Sequence, residues 1–464
     1  MKGMTLEAMA KACHGTLSGA VGMQYLTAEG IVIDSRKVLD DYVFVAIQGE
    51  RTDGHDYIDQ VFEKGALAVV TEHPLDIRKP HILVASTKQA LKDLAAFYLT
   101  MLDIRVVGIS GSVGKTSTKE IISSVLSQKY CVHKTEGNFN NEIGLPLTIF
   151  KIREEHQIAV LEMGISEFGE MHRLASIARP DLAVITNIGP CHLETLKTRD
   201  GVLKAKTEMF SHLPDDACVI LNGDDDKLCT ISQVQKKEPF FYGIGADRPQ
   251  TAAYHEKAAY ASDIENLGLK GIRLTIHFGS DSFSAHIPIP GKHNVYNALC
   301  AAVTGKQLGL TNDEIRMGLE QARTIDGRTN LIDTGSMIII DDCYNANPVS
   351  MKASIDVLAT ASGRTVAVLG DMNELGDDKQ ALHYEVGRYL AEKGIHVLFT
   401  AGTLSQEIAK AAAEHNPNCE IYAFAGRDEM LKHLLPFLKT GDAVLVKASH
   451  FMEFHEVVEA VITI

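Results

Sequence analysis

The stretch Arg105-Val-Val-Gly108-Ile-Ser-Gly111-Ser-Val-Gly114-Lys115-Thr116-Ser-Thr-Lys-Glu120 decides how this chain folds. Its apolar run at 106–109 predicts a buried strand, and residues 116–126 predict a helix. Between them, Gly111, Ser112, Val113, Gly114, Lys115, Thr116 and Ser117 form a glycine-rich turn that opens the helix. The N–H groups of a first helical turn have no partner within the helix, and the macrodipole adds positive potential there, so the turn predicts an anion site. Glycines allow close backbone approach, the Lys115 ammonium reaches terminal phosphates, and the Thr116 hydroxyl can ligate Mg²⁺. The general phosphate-loop pattern has a further glycine where Ile109 stands, so this is a shorter form of it. The competing reading is a glycine turn with a surface lysine; the strand–turn–helix context favours a nucleoside-triphosphate site.

Working outward, 464 residues predict about three domains, each large enough to bury a core. The net charge of −15 argues against a nucleic-acid or anionic-membrane surface, which needs a basic face. A phosphate loop is a local positive site and is compatible with that charge. No run of about 18 apolar residues predicts a membrane span, and Met1 to Met4 lead into a polar helical pattern. Eight cysteines without a C-x-x-C spacing predict neither a disulfide framework nor a zinc site, and suit a reducing cytoplasm.

Three regions follow, and an α/β fold is predicted for each. Residues 1–103 alternate short strands at 42–47, 67–70 and 82–84 with helices at 57–64 and 88–100. Asp34-Ser35-Arg36 and Gln48-Gly49 flank the first of these strands, and by themselves read as turn and cap residues. Residues 104–324 predict strands at 105–109, 158–162, 182–186 and 218–221 with helices between. That spacing implies a parallel sheet with its ligands beyond the carboxyl ends of the strands. Residues 270–290 predict an antiparallel hairpin turning at Gly279-Ser280-Asp281. Residues 325–464 predict a doubly wound domain with strands at 337–340, 365–369, 396–400, 420–424 and 443–447, each but the last followed by an amphipathic helix. It lacks G-x-G-x-x-G, so no dinucleotide is expected on it.

Five further residues carry candidate chemistry. Glu162 ends a strand and can complete a Mg²⁺ shell with Thr116, or it can cap the helix expected at 167–178. His192 follows the next strand as a loop histidine, either structural or a ligand. Lys204, Lys206 and Glu208 share one predicted helix, for which a solvated face is the plain alternative.

Together these residues carry a family resemblance. Thr116, Glu162, His192, Ala205-Lys206-Thr207-Glu208-Met209-Phe210, Gly291-Lys-His-Asn294-Val-Tyr-Asn297 and Gly327-Arg328 occur in an order that resembles the Mur ligases, ATP-dependent amide-forming enzymes of peptidoglycan synthesis. Thr135-Glu-Gly-Asn138-Phe-Asn140-Asn141, Asp341-Asp342-Cys-Tyr344-Asn345-Ala-Asn347-Pro348 and Gly370-Asp371-Met-Asn-Glu374-Leu-Gly376 resemble the branch that adds a dipeptide. The resemblance implies that UDP-N-acetylmuramoyl-tripeptide binds the first domain at Asp34, Ser35, Arg36, Gln48 and Gly49, with Thr135, Asn138, Asn140, Asn141 and Ser166 on the same substrate. It implies ATP on the central domain, with Asn294 and Asn297 near the base and Arg328 and Asp342 at the ribose and phosphates. Two Mg²⁺ ions are implied at Thr116, Glu162, His192 and a carbamylated Lys206; a carbamate is an anionic oxygen ligand, which an ammonium is not. The resemblance implies that Lys115, Lys206 and His192 form the catalytic set. D-alanyl-D-alanine is expected at Asn345, Asn347, Lys447, Ser449 and His450.

The chain departs from the family pattern twice. Lys447-Ala448-Ser449-His450 stands where Lys-Gly-Ser-Arg is expected, and Ser166 stands where Asn is commoner. The expected reaction is attack of a tripeptide carboxylate on the ATP γ-phosphorus, then attack of the dipeptide amine on the acyl phosphate. A GTPase or kinase would carry a guanine-specifying Asn-Lys-x-Asp and no third region. Another Mur-type or a folate-type ligase is the nearer alternative, and folate-type ligases lack the Asn138-Phe-Asn140-Asn141 run. A cytoplasmic monomer is expected.

Overall fold

The computed structural model describes residues 1–76, 78–244 and 259–464. Contacts divide the chain into two compact units, one of Met1–Ser110, Tyr130–Ala183 and Lys206–Cys218, the other of Gly111–Lys129, Val184–Ala205 and Val219–Ile464.

In the first unit, a five-stranded sheet runs in the spatial order Thr16–Ser18, His81–Leu83, Ala68–Thr71, Tyr42–Val45, Gly30–Val32. All its pairings are parallel except that of the first edge strand. Phe44 and Val69 face Ile58 and Val61 of the helix Ile58–Glu63 in one apolar cluster. The helix Thr87–Thr100 begins where Ser86 accepts from the Gln89 N–H at 3.3 Å, and buries Leu91, Leu94, Ala95 and Tyr98 at helical spacing. The Tyr98 hydroxyl donates to the Ile152 carbonyl at 2.7 Å, which satisfies its buried polar end. The same unit holds the parallel strands Arg105–Ser110, Ile158–Glu162 and Val132–Lys134. Every residue of Ile158–Glu162 is buried, as a central parallel strand requires.

In the second unit, Cys218–Asn222, Phe240–Ile244 and Ala259–Asn266 pair in parallel, and the antiparallel hairpin Ile272–Phe278 and Asp281–Ile287 follows. A second sheet orders Asn330–Asp333, Ile338–Asp341, Asp442–Lys447, Arg364–Gly370, Val397–Ala401, Glu420–Phe424, parallel except at its first strand. Alternation along a strand feeds two cores at once. Ala367 and Leu369 pack with Met351, Ile355 and Leu390 on one face, and Val366 and Val368 pack with Met430, Leu434 and Val457 on the other.

The last strand inserts between the second and third, so the strand order reverses there. A crevice opens at such a switch point beyond the carboxyl ends of the strands. The loops that leave those ends begin at Asp342, Asp371 and Ala448. After the last strand the chain closes with one more helix, His455–Ile462, beyond those expected.

Candidate functional site

Gly111 has φ of +152°, and a Cβ there would lie 1.9 Å from Thr186 Oγ1, so only glycine fits. Gly114 has φ of +80° and is the N-cap of the helix Lys115–Leu126, with no side chain capping its N–H groups. A first turn left uncapped in this way suits an anion such as phosphate. The loop is clamped from the next strand's end. Ser112 N–H donates to the Asn187 carbonyl at 3.0 Å, Val113 N–H to Asn187 Oδ1 at 3.0 Å, and Asn187 Nδ2 to the Val113 carbonyl at 2.9 Å. Lys115 Nζ folds back onto the Gly111 carbonyl at 2.8 Å.

Within the second unit this loop forms one wall of a cavity of about 480 Å³. Ser112, Val113, Gly114, Lys115, Thr116 and Ser117 line it with His192 and Asn297, and Arg328, Asp342, Asn345, Asn347, Lys447, Ser449 and His450 line it from the chain beyond residue 325. The cavity thus brings nine expected residues from outside the phosphate loop to one place, whereas Asn294 sits behind it. Asn297 accepts from the Thr118 hydroxyl at 3.0 Å and donates to Asn294 Oδ1 at 2.9 Å, while Asn294 Nδ2 is held by the Pro290 carbonyl at 2.8 Å. Asn294 therefore orients Asn297.

The Arg328 guanidinium lies 4.0 Å from the centre of the Tyr344 ring. Its Nε is buried and has no hydrogen-bond partner among the described residues. A desolvated donor on a fixed guanidinium, in the same cavity as a phosphate loop, suits a polyphosphate.

Asp342 and Lys447 are a buried pair. Asp342 Oδ1 accepts from the Thr329 N–H at 3.0 Å, and Oδ2 from Lys447 Nζ at 2.6 Å and from the Ser354 hydroxyl. The ammonium also donates to the carbonyls of Asp342 at 3.2 Å and Asn345 at 3.0 Å. Burial pulls the Lys447 pKa down against the pull of Asp342. All three donors are spent inside the domain, so Lys447 meets a dipeptide carboxylate only by giving one up. Asn347 caps the helix Pro348–Leu358, accepting from the Ser350 N–H at 2.9 Å. Ser449 Oγ accepts from the Asn373 N–H at 2.9 Å, which ties two of the switch-point loops together. Asn345 and the exposed His450 keep side chains on the cavity wall, the His450 ring 5.4 Å from that of Tyr344.

His192 has left-handed backbone, φ +50°, and its Nδ1 lies 2.9 Å from Glu374 Oε2. The hydrogen bond holds the Glu374 carboxyl below its ordinary pKa.

The other expected residues belong to the first unit. Glu162 is buried; Asn140 Nδ2 donates to its Oε1 at 2.8 Å, and its N–H donates to the hydroxyl of buried Thr135 at 3.0 Å. It does not cap the following helix, Glu170–Ala178. Glu208 serves the Gly169 and His172 N–H groups there, and Glu170 serves those of Ser166 and Glu167. The helix Arg199–Thr207 ends before Glu208; it leaves Lys204 exposed but buries Lys206 at 1% exposure, so the alternative of a solvated face fails at Lys206. Asn141 accepts from the Gly144 N–H at 2.8 Å, and Asn138 is exposed. Asp34 caps the short helix Ser35–Lys37 and pairs with Arg36 at 2.8 Å, which lowers its pKa to about 2. Gln48 and Gly49 lie in an exposed turn closed by the Gly49 N–H on the Thr52 carbonyl at 2.9 Å.

Three family profiles match in succession: the Mur ligase family catalytic domain over residues 27–102, the Mur ligase middle domain over 109–305 and the Mur ligase glutamate ligase domain over 327–450. The UDP-N-acetylmuramoyl-tripeptide–D-alanyl-D-alanine ligase of Bacillus subtilis strain 168 is 37% identical over 99% of this chain and 98% of its own length. The chain belongs to the Mur ligase family. Among solved structures, MurF from Acinetobacter baumannii superposes with a TM-score of 0.87 at 31% identity, covering 99% of both chains. MurF ligase from Thermotoga maritima in complex with ADP gives 0.81 at 30% identity, over 94% of this chain and 97% of that one.

For this Mur ligase, Thr116 in the second unit offers a hard oxygen atom that suits Mg²⁺, and His192 of that unit, with Nδ1 on Glu374, keeps a lone pair on Nε2. In the first unit the buried Glu162 carboxylate is a hard oxygen donor, whereas an ammonium at Lys206 is no cation ligand. Residue types alone did not single out Asn187, Tyr344 or Glu374 as parts of the site. Asn187 stands at a strand end and the other two lie within quoted motifs, which is the signal that could have found them.

Proposed function

We propose that this chain is the ATP-dependent, ADP-forming ligase that joins D-alanyl-D-alanine to UDP-N-acetylmuramoyl-tripeptide, in the cytoplasm. The observation that carries the reading is the single cavity in which a phosphate loop faces Arg328 and the loops of the switch point. Full-length similarity to relatives named for that reaction supports the choice of substrates. Three functional domains, 1–103, 104–324 and 325–464, divide the work among UDP-substrate, ATP and dipeptide.

The tripeptide carboxylate attacks the γ-phosphorus of ATP in line, giving an acyl phosphate and ADP. Lys115 and the N–H groups of the first helical turn hold the phosphates and offset charge that spreads in the transition state. Arg328 adds a cation from the opposite wall. Thr116, Glu162, His192 and Lys206 as its carbamate would hold two Mg²⁺, which supply charge neutralisation on the phosphate oxygens. The neutral amine of the dipeptide then attacks the acyl carbon, and phosphate leaves. Asn345 and His450 orient the dipeptide, and closure of the loops around the acyl phosphate keeps water from hydrolysing it. In the first unit Asn140 positions Glu162, while Asp34, Ser35, Arg36 and the 48–49 turn hold the UDP end.

The test is phosphate release from ATP with UDP-N-acetylmuramoyl-tripeptide, with and without D-alanyl-D-alanine. Turnover that needs both substrates is expected; release with neither, or with a folate acceptor instead, would reject the assignment. Lys206→Ala should be inactive and partly rescued by a small added carboxylate; full activity of that variant would remove the carbamate from the reading.

A further inference from the structure

His192 and Glu374 come from distant parts of the chain, and each has left-handed backbone, φ +50° and +60°. Non-glycine residues adopt that conformation at a cost and persist in it when the surroundings hold them. The loop that carries Glu374 is held at several points. Its Asp371 carboxylate accepts from the Thr403 and Ser405 N–H groups at 3.1 and 2.7 Å. The Met372 N–H donates to His383 Nε2 at 2.9 Å, and the Asn373 N–H to Ser449 Oγ at 2.9 Å. A loop so anchored delivers one side chain to one place, and Glu374 Oε2 reaches His192 Nδ1 at 2.9 Å on the wall of the nucleotide cavity.

A carboxylate on Nδ1 makes that nitrogen the proton carrier. It turns Nε2 into the lone-pair nitrogen and fixes the ring plane. We propose that Glu374 is a positioning residue that sets the tautomer and orientation of His192, so that the domain beyond residue 325 completes a ligand presented by the central domain. This rests on the proposed role of His192 as a metal ligand. It makes the site for the cation depend on the Asp371–Glu374 loop being in place. A free loop carboxylate that only salted the surface would have no reason to be held by three backbone and side-chain anchors within four residues.

The experiment uses the full-length enzyme, wild type, Glu374→Gln, Glu374→Ala, His192→Ala and the double variant His192→Ala/Glu374→Ala. Mn²⁺ replaces Mg²⁺, and bound Mn²⁺ is measured by electron paramagnetic resonance with ADP present, beside steady-state turnover. Glu374→Ala should weaken Mn²⁺ by about tenfold or more and lower kcat while the KM for dipeptide stays within twofold. Glu374→Gln, whose amide oxygen still accepts from Nδ1–H, should fall between it and wild type. In the His192→Ala background, removing Glu374 should change Mn²⁺ affinity no further, because the carboxylate acts through the imidazole. Unchanged Mn²⁺ affinity in Glu374→Ala, or an equal loss with and without His192, would overturn the proposal. Wild-type protein that releases no phosphate with both substrates would instead reject the ligase reading itself.

Discussion

Lys447 and Asp342 meet at 2.6 Å inside the domain beyond residue 325, each almost wholly shielded from water. They sit at the ends of adjacent strands, Asp442–Lys447 and Ile338–Asp341, which pair in parallel with Asp341 opposite Val446. The pair joins two loops of the switch point and uses every donor of the ammonium. It shapes the cavity wall.

Breaking that pair from one side leaves a buried ion without its partner, which typically costs about 3–5 kcal/mol. Asp342→Ala should therefore lower the unfolding midpoint strongly, and Lys447→Met added to it should recover part of the loss. Urea unfolding followed by circular dichroism measures both. A loss below about 1 kcal/mol for Asp342→Ala would mean the ammonium finds solvent.

In the proposed reaction Lys115 acts on charge that develops during phosphoryl transfer. Lys115→Ala should lower kcat by about 10²-fold or more with the fold unchanged. Phosphate release and circular dichroism spectra settle it, and near-normal turnover would exclude the lysine from catalysis.

Gly111 and Gly114 should respond differently to alanine. At Gly111 the new methyl meets Thr186 Oγ1 at 1.9 Å, whereas at Gly114 its nearest neighbour is Asn297 Oδ1 at 3.5 Å. Gly111→Ala should abolish ADP binding measured by calorimetry, because the clamp through Thr186 and Asn187 must shift. Gly114→Ala should carry mainly the left-handed backbone penalty, about 1–2 kcal/mol. Equal effects of the two would place the constraint in backbone strain alone.

His133 gives the first unit an acid-sensitive element. Its Nε2 lies 3.0 Å from the Thr148 carbonyl, and burial pushes its pKa from 6.5 down to about 4. A depressed folded-state pKa means the unfolded chain binds the proton first. The neutral ring's contribution is therefore full above pH 6.5 and is lost as pH falls toward 4. Denaturation midpoints measured across that range should fall less steeply in His133→Gln. An unchanged slope would show that other groups take up the proton.

Much of the architecture is legible in local pattern. The strands Ile158–Glu162 and Glu420–Phe424 appear where the apolar runs place them, and the hairpin turns at Gly279 as its glycine demands. Short strands such as Val132–Lys134 and Phe240–Ile244 escape such a reading. Val132–Lys134 has only three residues, two of them charged or polar, and Phe240–Ile244 is interrupted by Gly243.

The phosphate loop is a property of the sequence by itself. Glycine at 111 and 114, a lysine and a hydroxyl must follow one another at fixed spacing, and a strand and a helix must flank them. What each polar residue does with its atoms was decided by tertiary structure. Lys206, for which a solvated helical face is the plain alternative, is buried, and Lys447, a candidate for the dipeptide carboxylate, is committed to Asp342. Asn345 and Asn347 share one motif and both line the cavity, yet only Asn347 caps a helix. Spacing along the chain sets which residues share a strand end. Burial and hydrogen bonding are set by the segments packed against that end, and the switch point of the last sheet brings those segments from over 100 residues away, as the Lys447 to Asp342 separation of 105 records.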